Sequence, residues 1–172
     1  MATGDRVAGD SVKAAVSVRL PPARAFALFT DQMNAWWRRG PKFRHAGVRQ
    51  GLIHIEPGVG GRLFESWDEG GAERVFEVGL VTRWTPPDGL AFTWRNANFA
   101  DGEVTEVEVS FEAMGVTTMV TVVHRGWSSV RADHPARHGL DVAGFQRMLG
   151  LWWGDQLRAL RHAADAEGGR GR

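Results

Sequence analysis

Residues Leu140–Ala164, reading LDVAGFQRMLGLWWGDQLRALRHAA, are the stretch on which the fold turns. The apolar side chains Val142, Phe145, Leu149, Trp152, Trp153, Leu157 and Leu160 recur close to the helical period, which predicts one long helix with an apolar stripe. Neighbours on a helix point about 100° apart. Trp152 and Trp153 therefore diverge, and one faces a partner layer while the other flanks it. The stripe needs a surface to cover, and the preceding residues supply a sheet. Val104–Ala113 (VTEVEVSFEA) alternates, with Val107, Val109 and Phe111 on one side and Glu106, Glu108 and Glu112 on the other. One dry and one wet face is the signature of an antiparallel sheet covered on one side.

Upstream, the period of two recurs. Val12–Leu20 reads as a first strand, halted by Pro21-Pro22. Pro22 opens a short helix through Phe29, and Thr30 or Asp31 offers an N-cap for a second over Met33, Trp36 and Trp37. Strands follow at Val48–Glu56, Arg62–Trp67, Glu73–Thr85, Leu90–Arg95, Val104–Ala113 and Val116–His124, separated by turns rich in Gly and Pro. The order is strand, two short helices, six strands, long helix. That is an α+β fold, a curved antiparallel sheet of about seven strands around a C-terminal helix. One domain spans residues 12–164, with residues 1–11 and 165–172 expected to be flexible.

The chain has 172 residues, enough for one domain with a sizeable core. It has no Cys, so disulfides, thiolate nucleophiles and Cys-ligated metals are excluded. A net charge of +1 demands neither nucleic acid nor an anionic membrane as partner. No apolar run is long enough to span a bilayer, and Met1–Asp10 lacks an apolar signal core. A cytoplasmic protein is expected. Eight Trp and nine Phe stand beside no Tyr. Such a set fills a thick core or lines an apolar pocket.

Several local motifs add to the element order. They are Leu20-Pro21-Pro22-Ala23-Arg24-Ala25-Phe26, the Trp36-Trp37 pair, Pro57-Gly58-Val59-Gly60-Gly61-Arg62 and Pro86-Pro87-Asp88-Gly89-Leu90-Ala91-Phe92-Thr93-Trp94. The run Thr117 to Trp127 and the closing Trp152-Trp153 complete the set. Together they resemble the SRPBCC (START-like, helix-grip) superfamily, in particular the branch similar to the C-terminal domain of the activator of the heat-shock protein 90 ATPase. The resemblance covers roughly residues 12–164. It implies a deep cavity between the long helix and the concave face of the sheet. Relatives with this fold bind lipids, hormones or polyketides, or act as cyclases, dehydratases, carriers or protein-binding modules. No shared catalytic set transfers to numbered positions here. In the activator family a separate N-terminal domain accompanies this one in eukaryotes, and no counterpart to it is expected here, which weakens the interaction-module reading.

Catalytic candidates are His124, Glu65 and His54. His124 is in phase with Val120 and Val122 on the dry face. It is either a general acid or base at a cavity, or a hydrogen-bonded structural histidine. Glu65 shares a phase with Leu63 and Trp67 and can point inward, or pair with Arg62, Arg74 or Arg83 on an exposed face. His54 is in phase with Leu52, opposite Ile53 and Ile55, and its direction is ambiguous. The expected ligand-lining set is Trp36, Trp37, Trp67, Phe76, Trp94, His124, Phe145, Leu149 and Trp152.

No metal set is present, because the six His are scattered and His134 and His138 flank Pro135. No cofactor motif occurs, since the Gly-rich 57–61 segment leads into a strand rather than a helix. The basic and aromatic run Trp36–Arg49 lacks any nucleic-acid motif and reads as a rim patch guiding an anionic ligand, or as a solvated face. The leading expectation is a domain that binds a small apolar or aromatic molecule. A polyketide cyclase or dehydratase and a chaperone-associated interaction module are the alternatives. A protein partner and a homodimer remain open, with nucleic acid and membrane excluded as partners.

Overall fold

The structure is a computed structural model, and it describes residues 9–170. The alternating segments form seven strands: β1 (Val12–Val18), β2 (Gly51–Ile55), β3 (Arg62–Glu69), β4 (Ala72–Thr85), β5 (Gly89–Trp94), β6 (Thr105–Met114) and β7 (Thr117–Arg125). They make one antiparallel sheet in the order β1-β7-β6-β5-β4-β3-β2. Strands β2 to β7 form a meander, and β1 closes the far edge beside β7. Two short helices, α1 (Pro22–Thr30) and α2 (Met33–Trp36), cross from one edge to the other. The long helix α3 (Val142–Gly169) lies across the concave face and packs on β1, α1 and α2.

Register explains the dry face. Val12, His124 and Val107 lie side by side, as do Val122 and Val109, and Val120 and Phe111. Each of these is buried on the concave face, where His124 meets Trp153 of α3 and Phe111 meets Phe26 and Phe29 of α1. On the outer face, Glu106 and Glu108 meet Arg125 and Glu108 also meets Arg83, so that face is wet and ion-paired.

Curvature comes from β4. Its pairing slips once against β3, beside Gly79, and once against β5, between Val81 and Arg83. A bulge adds an unpaired residue and strengthens local twist. Two bulges in one 14-residue strand bend the sheet around the helix. Gly79 is required for space: a Cβ there would lie 1.6 Å from the Thr93 carbonyl oxygen.

The structure departs from the sequence reading at several boundaries. β2 begins at Gly51, not Val48, because residues 40–49 wind into backbone-bonded turns (Arg44 N–H to Gly40 O, Gly47 N–H to Arg44 O). Thr30 is not a cap. It ends α1, with its hydroxyl donating to the Phe26 carbonyl at 2.9 Å, and α2 starts after Gln32. The long helix starts one residue after Asp141, whose side chain accepts from Gly144 N–H at 2.8 Å. It runs to Gly169, five residues past the expected domain edge at Ala164, and Glu167 pairs with Arg24 of α1. Met1–Ala8 and Gly171–Arg172, part of the expected flexible ends, lie outside the described residues. Among the described residues no helix is long and apolar enough to cross a membrane.

Gly79→Ala is expected to destabilise the domain by about 2–3 kcal/mol, because backbone must move to admit the methyl group. Gly154→Ala, whose Cβ meets nothing nearer than 3.8 Å, is expected to stabilise it by about 0.5–1 kcal/mol. Urea unfolding of both variants measures the two shifts.

Candidate functional site

A cavity of about 480 Å³ opens where α3 leaves the end of the sheet. β5 contributes Trp94 and, just beyond it, Asn96. β7 contributes His124, and the left-handed turn at Gly126 (φ 94°) brings Trp127 round beside it. α3 contributes Phe145, Leu149 and Trp152, and the segment Pro41–Arg44 forms the outer lip.

His124 is fully buried in the floor. The indole N–H of Trp153 donates to its Nδ1 at 3.2 Å. Nδ1 is therefore the unprotonated nitrogen, and Nε2–H donates to Thr105 Oγ1 at 2.7 Å. The Thr105 hydroxyl in turn donates to the Trp94 carbonyl at 3.3 Å. Burial pushes the His124 pKa down from 6.5 to about 3. The imidazole is neutral at physiological pH, and both its nitrogens are engaged within the protein. It presents ring carbon to the cavity, packed 5.0 Å from Trp127 and 5.9 Å from Trp94.

Glu65 and His54 lie elsewhere. Glu65 does point inward and is 1% exposed, but it sits under the lip segment, outside the cavity wall. One carboxylate oxygen accepts from His45 N–H at 2.5 Å, and the other has no partner among the described residues. Burial raises its pKa, opposed by that backbone bond and by the charge of Arg44. Arg44 is itself buried, donating to the carbonyls of Arg38, Asn34 and Trp37, and desolvation lowers its pKa to about 10. His54 is a correction: it is exposed on the outer face beside Phe64, because β2 places Ile53 and Ile55 inward.

Of the expected lining residues, Trp94, His124, Phe145, Leu149 and Trp152 come together in the wall. The others do not. Trp36 and Trp37 are core, their N–H groups held by the carbonyls of Phe29 and Phe43 at 3.1 and 3.0 Å. Trp37 backs the wall from behind, its ring stacked 6.0 Å from Trp94. Trp67 lies in a separate open groove with Arg39 and Asp68 where β2 begins, and Phe76 packs under the His45 ring at 4.1 Å. The tryptophan pair divides: Trp153 is the one buried against the sheet, and Trp152 stands at the mouth with its N–H on the Lys42 carbonyl at 2.8 Å. Phe43, Asn96, Trp127 and Met148 also line the cavity. Their segments lie outside strand alternation, except Met148, one turn before Trp152 on α3.

A seven-stranded sheet curled on a long C-terminal helix, with a cavity between them, defines a helix-grip protein of the START-like class. The sequence matches the family described as Activator of Hsp90 ATPase homolog 1-like protein over residues 19–158, and the chain belongs to that family. Among solved structures it is similar to a protein of unknown function from Staphylococcus aureus, at 12% identity and TM-score 0.64, over 92% of this chain and 96% of the other. It is similar to an HSP90 activator from Plasmodium falciparum, at 18% identity and TM-score 0.60, over 90% and 95% of the two chains. A third similar structure is DynU16, a protein of the dynemicin biosynthetic locus, at 22% identity and TM-score 0.58, over 91% of this chain and 47% of that one. No curated protein matches the chain.

His124 is neutral when folded and titrates near 6.5 when unfolded, so the unfolded state binds more protons as pH falls from 6.5 towards 3. Stability is full above that window and is lost through it, by up to about 1.4 kcal/mol per pH unit. His45, held near 4 by burial, acts in the same direction, while the raised Glu65 acts oppositely. His124→Gln is expected to remove one proton from the slope between pH 6.5 and 4. It should also cost about 1–3 kcal/mol at pH 7.5, because the amide replaces the acceptor and the donor but not the ring that packs against Trp94 and Trp127. Urea unfolding at a series of pH values reads both effects.

Proposed function

We propose that this chain binds a small apolar or aromatic molecule in the cavity between α3 and the sheet. The observation that supports this is the cavity itself: about 480 Å³, walled by Trp94, Trp127, Phe145, Leu149 and Trp152. That volume falls in the range of small-molecule sites, about 300–1,000 Å³. Burial of about 250 Å² of apolar ligand surface would contribute roughly 6 kcal/mol before ordering costs. Micromolar affinity needs about 8 kcal/mol, so polar contacts at the mouth must supply the remainder.

A cyclase or dehydratase would need an acid or base free to act inside the cavity. His124 has neither nitrogen free, and Glu65 lies outside the wall. Binding without chemistry is the reading these positions favour. A chaperone-directed interaction is the second reading, motivated by the family and by the likeness to an HSP90 activator. An ATPase rate of a purified Hsp90-type chaperone that is unchanged by this chain removes it.

Titration with 1-anilinonaphthalene-8-sulfonate is expected to enhance probe fluorescence and quench the Trp emission in a saturable way. Met148→Trp, which fills the cavity from α3, is expected to weaken that binding at least tenfold with the circular dichroism unchanged. Non-saturable signal, or equal binding by the filled variant, sinks the reading.

A further inference from the structure

The polar groups that face the cavity are unequal in kind. Its lining contains two cations, Lys42 and Arg44, and no carboxylate. The side-chain acceptors are already engaged: Asn96 Oδ1 takes the Trp94 N–H at 3.2 Å, and His124 Nδ1 takes that of Trp153. The Lys42 carbonyl takes the N–H of Trp152. What is left over is donors. Asn96 keeps its amide NH₂, Lys42 keeps ammonium protons beyond the one given to Asp155, and the N–H of Trp127 is enclosed with no acceptor among the described residues. The side-chain acceptors that remain are few: the second lone pair of Asn96 Oδ1, the weakly accepting Met148 sulfur and His138 at the outer lip.

The two residues that carry the leading donors are tied to the same aromatic wall. Trp94 and Trp152 meet edge to face with ring centroids 5.9 Å apart. The tip of the first holds Asn96 and the tip of the second holds the backbone of Lys42. Beside them, Phe43 carries the guanidinium of Arg38 at 4.9 Å and the ammonium of Lys42 at 5.2 Å from its ring. Asp155 is the one acid at Lys42 among the described residues, and Arg158 and Arg38 also act on it, so the mouth stays positive.

We propose that the ligand is an apolar molecule carrying a carboxylate, which Lys42 and Asn96 receive at the mouth while the apolar body lies against Trp94, Phe145 and Leu149. The inference rests on the cavity reading and deepens it. A donor-rich, cationic mouth prefers an anionic acceptor, tolerates a neutral one and repels an ammonium group.

The test is calorimetric titration of the full chain at low salt with three probes of one shape: 2-naphthoate, 2-naphthalenemethanol and 2-naphthylmethylamine. Naphthoate is expected to bind at least tenfold more tightly than the alcohol, with the amine weakest, and the preference should shrink as salt rises. Lys42→Met is expected to weaken naphthoate five- to tenfold and leave the alcohol unchanged. Asn96→Asp keeps an acceptor for Trp94 but turns the donor into an anion, and should weaken naphthoate more strongly still, again sparing the alcohol. Equal binding of acid and alcohol, tightest binding of the amine, or a preference untouched by both variants overturns the carboxylate assignment while the cavity reading stands. Failure of all three probes to bind overturns both.

Discussion

The hydrogen bond from the Trp153 indole to His124 joins the two layers of this protein and sets the position of everything around it. An indole N–H taken out of water needs an acceptor, and on the dry face of a sheet built from Val, Phe and Leu there are almost none. His124 supplies one, and its second nitrogen passes the chain of bonds to Thr105 and the Trp94 carbonyl. The helix is thereby registered against β7 at one point along its length. Apolar packing alone would let a Leu- and Trp-rich stripe slide, since the hydrophobic effect has no direction. The cost is a histidine that is held neutral and has no nitrogen left for chemistry.

Around that point the geometry follows from two constraints. The bulges of β4 curl the sheet, so its end near Trp94 diverges from a straight helix instead of following it. The angular offset between Trp152 and Trp153 then separates core from site. Trp153 fills the seam, and Trp152, one residue earlier, stands where the seam has opened. The wall of the cavity is therefore an edge of the core, and the same aromatic cluster serves both. Trp37, Trp94, Trp152 and Trp153 touch one another with centroids 5.0–6.2 Å apart. A ligand entering there would be read by Trp fluorescence for that reason.

Sequence periodicity determined a good deal. Val104–Ala113 and the Phe145 to Leu160 stripe were enough to define a half-wet antiparallel sheet and a long covering helix, because burial on one face imposes a period of two or of 3.6 whatever the neighbours are. The same reasoning brought His124 inward. It failed for His54, where both phases of β2 carry apolar residues, and only pairing with β3 shows which face is covered. It failed too for Val48, since turn formation at 40–49 depends on the buried Arg44 binding three backbone carbonyls. The tertiary structure alone decided which aromatics line the cavity and which fill the core. Trp36, Trp37 and Trp67 are the same residue type as Trp94 and Trp152, and a side chain's own chemistry does not say whether the space beside it is occupied. It also decided that the mouth is rich in donors, because a free donor is what remains after every neighbouring acceptor has been taken, and that count exists only in three dimensions.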